Sequence, residues 1–472
     1  MIFLMRLAGR NATTLPGKTA LWLYRKLPEY LTKNKNITII TGTNGKTTTT
    51  RMLCSIYESA GYRVVTNVSG ANLASGVITA LIENLSFSDM FSAKKDASKK
   101  DSQTIDSSKK DSRANDSSKK HSLRIVLEMD EGAFGRYAAS LNPSVIAITN
   151  LFRDQLDRYG ELSKTRELIR KGIRESEKAA VLLCSDDSLC ASLAEDCKGR
   201  NVFCGIGKVS MREAEPNLSA TTEAGNCVFC GEEYDYSHRS FGHLGYFKCP
   251  GCGFTRPEAS FHCEYERLEN NVFHVFYKWK DEKMDLILPI PGEFNVYNAM
   301  TAVAAACMNG ISLNGTKDGM LLAKAGFGRM ERFKIGDCET CIVLVKNPVG
   351  LERALDFLAN ATDAGSVLFL LNDGIADGTD VSWIWDVDFE SRRIPGGIFI
   401  SGSRCYDMAL RLMYAGADKD AMTVSYDFTA QFENALRTCK KGECLYVLPN
   451  YTSLLELRSY LSKTYHLKEI WK

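Results

Sequence analysis

Three groups of residues in this 472-residue chain have types and spacings that could do chemistry. The first is Thr41-Gly-Thr-Asn-Gly-Lys-Thr-Thr48. Its glycines let backbone N–H groups close round a phosphate, and a helix opening there adds the positive end of its dipole. Lys46 would reach the outer phosphates, and the Thr47 hydroxyl would hold Mg²⁺. The loop is shorter than the common GxxxxGK[ST] form, because position 40 is Ile. The second group is Cys227-Val-Phe-Cys230-Gly and Cys249-Pro-Gly-Cys252-Gly. Two CxxC turns, each followed by glycine, would place four thiolates tetrahedrally round zinc, leaving no open position, so the metal would be structural. His238 and His243, between the pairs, read as surface residues rather than ligands. The third is the acidic run 373–390, where Asp373, Asp377, Asp380, Asp386, Asp388 and Glu390 are interleaved with Trp383 and Trp385. A solvated loop rarely spends two tryptophans in this way.

The elements that must carry these groups follow from the apolar pattern. Residues 37–41 are a short, apolar, β-branched run and predict a buried strand, with a helix over 47–60 after the phosphate loop. Further strands are expected at 62–66, 124–129 and 144–149, with a helix at 74–84. Strand and helix in alternation predict a mostly parallel sheet with helices on both faces. Strands within 271–289 and an Ala-rich helix over 295–308 come next. A second α/β rhythm then begins, with strands at 342–345, 366–371, 397–401 and 443–448. The expected architecture is an α/β chain: an ATP-binding domain over 1–330 with a parallel sheet and an inserted Cys₄ ribbon at 222–258, and a Rossmann-like α/β domain over 331–472. The hinge would lie near 328–346. Residues 91–122 repeat Ser-Lys-Lys-Asp-Ser with almost no large apolar side chains, which reads as a disordered insertion.

Composition narrows the function classes. With 59 Lys+Arg against 57 Asp+Glu there is no overall electrostatic case for nucleic acid, and residues 231–248 are not strongly basic either. No apolar run is long enough to span a membrane, and the five apolar residues before Arg6 are too few for a signal-peptide core, so a cytoplasmic location is expected. The twelve cysteines outside the CxxC pairs sit singly in apolar segments and read as buried thiols.

The form TGTNGKTT resembles the phosphate loop of the Mur ligase family, enzymes that join a carboxylate to an amine at the cost of ATP through an acyl phosphate. Other segments are similar to that family in the same order. Leu127-Glu-Met-Asp-Glu131 offers Glu128 as the Mg²⁺-binding glutamate beside Thr47. Thr149-Asn-Leu-Phe-Arg-Asp-Gln-Leu-Asp-Arg-Tyr-Gly160 resembles the TN-x-x-x-DHLD-x-x-G stretch, with Gln155 where many members have a metal-binding His. The carbamoylated lysine of the family has no clear counterpart, Lys164 and Lys171 both being near. Phe294-Asn-Val-Tyr-Asn298 resembles the adenine-contacting segment, and Gly328-Arg-Met-Glu331 the inter-domain GR-x-E. The resemblance thus implies an ATP site of Gly42, Thr43, Asn44, Gly45, Lys46, Thr47, Thr48, Asn295, Asn298, Arg329 and Asn347. Lys46, Arg329 and Lys346 would act on the transferred phosphoryl group.

Four further segments resemble the branch of the family that amidates lipid II: Val345-Lys-Asn-Pro-Val-Gly350, the run from Asn372 to Asp386, Ser401-Gly-Ser-Arg404 and Leu448-Pro-Asn-Tyr-Thr452. This branch also carries a Cys₄ insertion. The resemblance implies ATP-dependent conversion of the α-carboxyl of D-glutamate in the lipid II stem peptide to D-isoglutamine, in peptidoglycan biosynthesis at the inner face of the membrane. Ammonia would come from a GatD-like glutaminase in a heterodimer, and no cysteine of this chain sits on a GxCxG-like elbow. An aspartate of the C-terminal domain would complete the partner's Cys-His triad, with Asp380 and Asp386 as candidates. Asp386 is preferred, because the two tryptophans could wall its carboxylate. The alternatives are a Mur ligase adding an amino acid to a UDP-linked precursor, and a non-enzymatic P-loop and zinc-ribbon binding module.

Overall fold

The computed structural model describes residues 14–67, 71–86, 89, 122–153, 162–213, 224–324 and 329–467. The insertion at 91–121 and Gln155 lie outside these residues. So do Gly328 and the side chain of Arg329.

Twelve of the strands build or flank the N-terminal half: β1 (Asn36–Thr41), β2 (Arg63–Thr66), β3 (Leu123–Glu128), β4 (Val145–Ile148), β5 (Ala180–Cys184), β6 (Asn201–Ile206), β7 (Arg212–Glu213), β8 (Asp235–Arg239), β9 (Gly245–Lys248), β10 (Phe261–Arg267), β11 (Phe273–Trp279) and β12 (Glu282–Ile287). Nine of them form one sheet in the order β12-β11-β10-β6-β5-β4-β1-β3-β2. It is parallel from β2 to β10, and β11 and β12 add an antiparallel edge. β1 at its centre is buried over Ile37–Thr41, as a strand covered on both faces must be. The helix Lys46–Ser59 covers one face through Met52, Leu53, Ile56 and Tyr57. Against it packs the helix Glu293–Met308, whose alanines at 299, 302 and 304–306 are at most 1% exposed. That helix is apolar on every side because it is enclosed on every side.

The strands β7, β8 and β9 form a separate antiparallel sheet that carries the cysteine knuckles. The remaining six strands are β13 (Arg329–Ile335), β14 (Cys338–Val343), β15 (Ala364–Leu370), β16 (Gly397–Ser401), β17 (Met422–Val424) and β18 (Cys444–Pro449). They form a second sheet ordered β13-β14-β18-β15-β16-β17, parallel except for β13. The stretch expected as a hinge is mostly not a loop. β13 and β14 pair as an antiparallel hairpin at the edge of the second sheet, and their backbone N–H and C=O groups form a bond ladder that a flexible link would lack. Separate apolar clusters cover the two faces of this sheet. Among the described residues no helix is long and apolar enough to cross a membrane.

Candidate active site

Strand order turns back at β1: the chain runs out to β2, returns to β3 on one side, then passes to β4 on the other. In α/β sheets the crevice beyond the C-terminal end of such a strand is where ligands sit. The phosphate loop fills that position and is fixed by the segment after β4. The Thr43 N–H donates to the Asn150 carbonyl at 2.9 Å. The Thr43 hydroxyl donates to the Phe152 carbonyl at 3.0 Å and accepts from the Phe152 N–H at 3.1 Å. The Asn44 N–H donates to Asn150 Oδ1 at 2.9 Å, and Asn150 Nδ2 donates to the Asn44 carbonyl at 3.1 Å. Gly45 opens the helix with φ of +83°, and a Cβ there would lie 1.9 Å from Asn298 Oδ1. Only glycine fits both demands.

Lys46 is buried, 7% exposed. Its Nζ donates to the Gly42 carbonyl and, at 3.2 Å, to the Thr43 carbonyl. It also lies 3.5 Å from Glu131 Oε2. Glu131, 1% exposed, begins a helix capped by Asp130, whose carboxylate accepts from Gly132 and Ala133 N–H groups. Sequence reasoning missed this acid, since only Glu128 was singled out of the same pentapeptide. Thr47 Oγ1 donates to Glu128 Oε1 at 3.0 Å, so the two expected Mg²⁺ ligands meet. The Glu128 backbone is clamped by the Asn67 amide at 2.9 and 3.0 Å. A hydroxyl and a carboxylate oxygen beside a phosphate loop suit a hard divalent ion.

The second sheet closes over this loop. Asn347 caps the helix Pro348–Ala359 by accepting from the Gly350 N–H at 2.8 Å, and its Nδ2 donates to Asn44 Oδ1 at 3.2 Å. Among the described residues Asn44 Nδ2 is buried with no partner, which leaves a donor for a ligand. Asn298 Nδ2 donates to Asn295 Oδ1 at 3.0 Å, and both are buried. Gly45, Thr48, Asn150 and Asn298 line one pocket with Phe152, Phe241, Phe294, Tyr297 and Arg353. Its mix of aromatic walls and a few amides is what a nucleotide base needs. Lys346 is half-buried, one residue from Asn347. Lys164 and Lys171 lie exposed on the helix Leu162–Glu175 and do not line the pocket.

In the acidic run the aspartates separate by role. Asp377 is 4% exposed and accepts from the Thr452 N–H at 2.8 Å and from the Thr452 hydroxyl, with burial raising its pKa. Asp380 is exposed and accepts from the Ser382 N–H at 2.8 Å, a bond that lowers its pKa. Asp386 lies 3.4 Å from Arg153, both half exposed, across the gap between the two sheets. Trp385 packs edge-on against Tyr414 at 5.4 Å with Arg411 beside it, while Trp383 joins the core cluster of the second sheet.

The four thiols of Cys227, Cys230, Cys249 and Cys252 lie within 4.8 Å of one another, as tetrahedral zinc requires. Gly231 and Gly253, at φ of +80° and +79°, turn each knuckle back. Burial works against a Cys227 thiolate. The N–H groups of Phe229 and Cys230, together with hydrogen bonds from Tyr234 and Cys252, outweigh it and bring the pKa down to about 6. His238 and His243 lie outside the cluster of four thiols. His243 is nonetheless fully buried, against the surface position expected of it, because the hairpin tip that carries it is pressed onto the first sheet's loops.

Residues 40–246 match the Mur ligase middle domain family, and residues 344–454 match the MurT ligase C-terminal family. The MurT subunit of lipid II isoglutaminyl synthase (glutamine-hydrolyzing) from Streptococcus pneumoniae is 34% identical over 466 residues, covering 98% of this chain and 94% of that protein. The chain belongs to the MurT family. The Staphylococcus aureus MurT subunit is 30% identical over 469 residues, covering 98% and 95% of the two chains. Among solved structures, a pseudomurein peptide ligase type C from Methanothermus fervidus superposes with a TM-score of 0.63 at 21% identity, over 96% of this chain and 85% of that one, a likeness of fold.

Mur ligases are ATP-dependent ligases, and this MurT-family chain is one of them. The phosphate loop, the Thr47–Glu128 pair and the amide-lined pocket fit ATP with Mg²⁺, and the four thiols fit zinc. Protein purified without added metal is expected to carry about one zinc per chain. Cys249→Ser should lower that content and the melting temperature by about 5 °C. Metal analysis that finds no zinc in fresh wild-type protein would contradict the assignment.

Proposed function

We propose that this chain is the synthetase subunit that amidates the α-carboxyl of D-glutamate in the lipid II stem peptide to D-isoglutamine. Ammonia comes from a GatD-like glutaminase subunit, and the chain works at the inner face of the membrane. The observation that carries the reading is resemblance over nearly the whole chain to subunits so named, in a chain whose phosphate loop holds Lys46, Thr47 and Glu128 in one cluster. ATP supplies the phosphoryl group that turns the carboxylate oxygen into a leaving group, and ammonia then displaces phosphate from the acyl carbon.

In this proposal Gly42, Thr43, Asn44, Gly45, Thr47 and Thr48 cradle the phosphates, and Asn295 and Asn298 lie toward the base. Thr47 and Glu128 hold the magnesium, which neutralises phosphate charge when bound. Lys46 exchanges its carbonyl partners for phosphate oxygens. Arg329, Lys346 and Asn347 belong to the part of the chain that closes over the nucleotide, and their charges oppose the charge developing on the transferred group. Domain limits of 1–330 and 331–472 suit this closure, with the two sheets on either side of the pocket.

Asp380 is the better placed of the two triad candidates. Its carboxylate is open to a partner and fixed by one backbone bond, whereas Asp386 already faces Arg153. An orienting carboxylate of this kind would hold the tautomer of a partner's imidazole. ATP turnover measured with lipid II and ammonium salt tests the reading. Turnover should need both, and turnover that needs neither would count against it. A Mur ligase acting on UDP-linked precursors would respond to a free amino acid instead.

A further inference from the structure

The cysteine ribbon reaches the nucleotide pocket. Its two strands β8 and β9 pair from Asp235↔Lys248 at the knuckle end to Arg239↔Gly245 at the far end. At that far end the turn Ser240–Leu244 is closed by Ser240 N–H to Leu244 O and Leu244 N–H to Phe241 O, both 3.0 Å. Phe241, at the tip, is 7% exposed and lines the pocket with Gly45 and Asn298. Its ring stacks on Phe152 at 6.1 Å and 13°, meets Tyr297 edge-on at 5.4 Å, and has Arg353 at 4.8 Å.

The tip is also clamped from beneath. His243 and Asp187 are both fully buried, with Nε2 and Oδ1 3.2 Å apart. Asp187 accepts from the Leu151 N–H at 2.8 Å and from the Leu189 and Cys190 N–H groups at 2.9 and 3.1 Å. The His243 ring lies 4.5 Å from that of Phe152, whose backbone bonds to Thr43 of the phosphate loop. A Cβ on Gly242 would fall 2.8 Å from the Phe152 ring, so the approach leaves no room for a side chain. One small turn thus touches the pocket wall, the loop that fixes the phosphate loop and the buried Asp187 carboxylate. A structural zinc finger standing apart from the chemistry would need none of these contacts.

We infer that the ribbon positions the nucleotide base: Phe241 is the wall on which the purine ring lies, and the His243–Asp187 pair holds that wall in register with the phosphate loop. This rests on the reading that the pocket takes ATP. Zinc, by holding the knuckle end of β8 and β9, then supports nucleotide affinity from a distance.

The test measures binding of a non-hydrolysable ATP analogue and of inorganic tripolyphosphate to the full chain with its zinc. Base-on-aromatic stacking predicts that Phe241→Ala weakens the analogue about tenfold and leaves tripolyphosphate unchanged. Zinc content should stay near wild type while the melting temperature falls, because Phe241 is buried against Phe152 and Tyr297. Unchanged tripolyphosphate binding shows that the site still folds, and Phe241→Leu should fall between wild type and Phe241→Ala. In turnover, the KM for ATP should rise about tenfold with kcat at saturating ATP within about twofold. His243→Ala should weaken the analogue too, and add little in the Phe241→Ala background, because both act through one wall. Stripping zinc with a chelator should lower analogue affinity in the wild type and change it little in Phe241→Ala. Unchanged analogue binding by Phe241→Ala overturns the inference, as does an equal loss for tripolyphosphate. Wild-type protein that binds neither probe overturns the ATP-site reading itself.

Discussion

Lys46→Ala is expected to abolish ATP-dependent amidation, lowering turnover about 10³-fold or more, the scale at which a cation on a transferring phosphoryl group works. The loss should fall on kcat more than on lipid substrate binding. The burial of Lys46 adds a second effect that an exposed lysine would not have. Glu131, itself buried, loses the cation 3.5 Å away, and breaking a buried pair from one side costs about 3 kcal/mol. Adding Glu131→Gln to Lys46→Ala should recover most of that stability and none of the activity. Denaturant unfolding and single-turnover assays read the two effects separately. A folded Lys46→Ala protein that amidates at the wild-type rate would remove the Mur-type assignment of the loop.

The second large effect is expected from Asp380→Asn. With the glutaminase present, amidation driven by glutamine should fall by about 10³-fold or more, because a triad without its carboxylate loses the correct imidazole tautomer. Amidation driven by ammonium salt should survive, since Asp380 bonds to the Ser382 N–H and is not one of the residues that line the nucleotide pocket. Asp386→Asn should leave both ammonia sources working: its pair with Arg153 is half exposed and contributes about 0–1 kcal/mol. Asp377→Asn should differ from both. It disturbs the buried bonds to Thr452 and lowers the melting temperature, with both ammonia sources impaired together. If instead Asp386→Asn loses glutamine-driven activity alone, the triad role passes to that residue.

What could be read from the chain were the features written in consecutive residues. The phosphate loop, its flanking strand and helix, and the paired CxxC turns each occupy a few positions whose types have one common physical use. The meeting of Thr47 with Glu128 was expected from the resemblance to the Mur ligases, whereas the place of β3 between β1 and β2 was not read from the chain. The partners that needed distant segments were not legible. Lys46 meets Glu131 across 85 residues, Asn44 meets Asn347 across 303, and Arg153 meets Asp386 across 233. His243 looked like a loop histidine because its neighbours Gly242 and Ser240 are turn residues, and only the packing of the tip on Phe152 buries it. Phe241 gave no local signal either, being one aromatic in a short turn. The 328–346 stretch was read as the link before the second α/β rhythm, whereas β13 and β14 there pair as a hairpin with β14 buried except at Glu339.

The most direct measurement of the central claim is the mass of the lipid II stem peptide after incubation with this chain, its glutaminase partner, ATP, Mg²⁺ and glutamine labelled with ¹⁵N at the amide. The account predicts a product about 1 Da lighter with unlabelled glutamine, about 1 Da more than that with the label, and fragmentation that places the new nitrogen on the D-glutamate α-carboxyl. No product should form without ATP. A stem peptide of unchanged mass, or one extended by an amino acid, would contradict it.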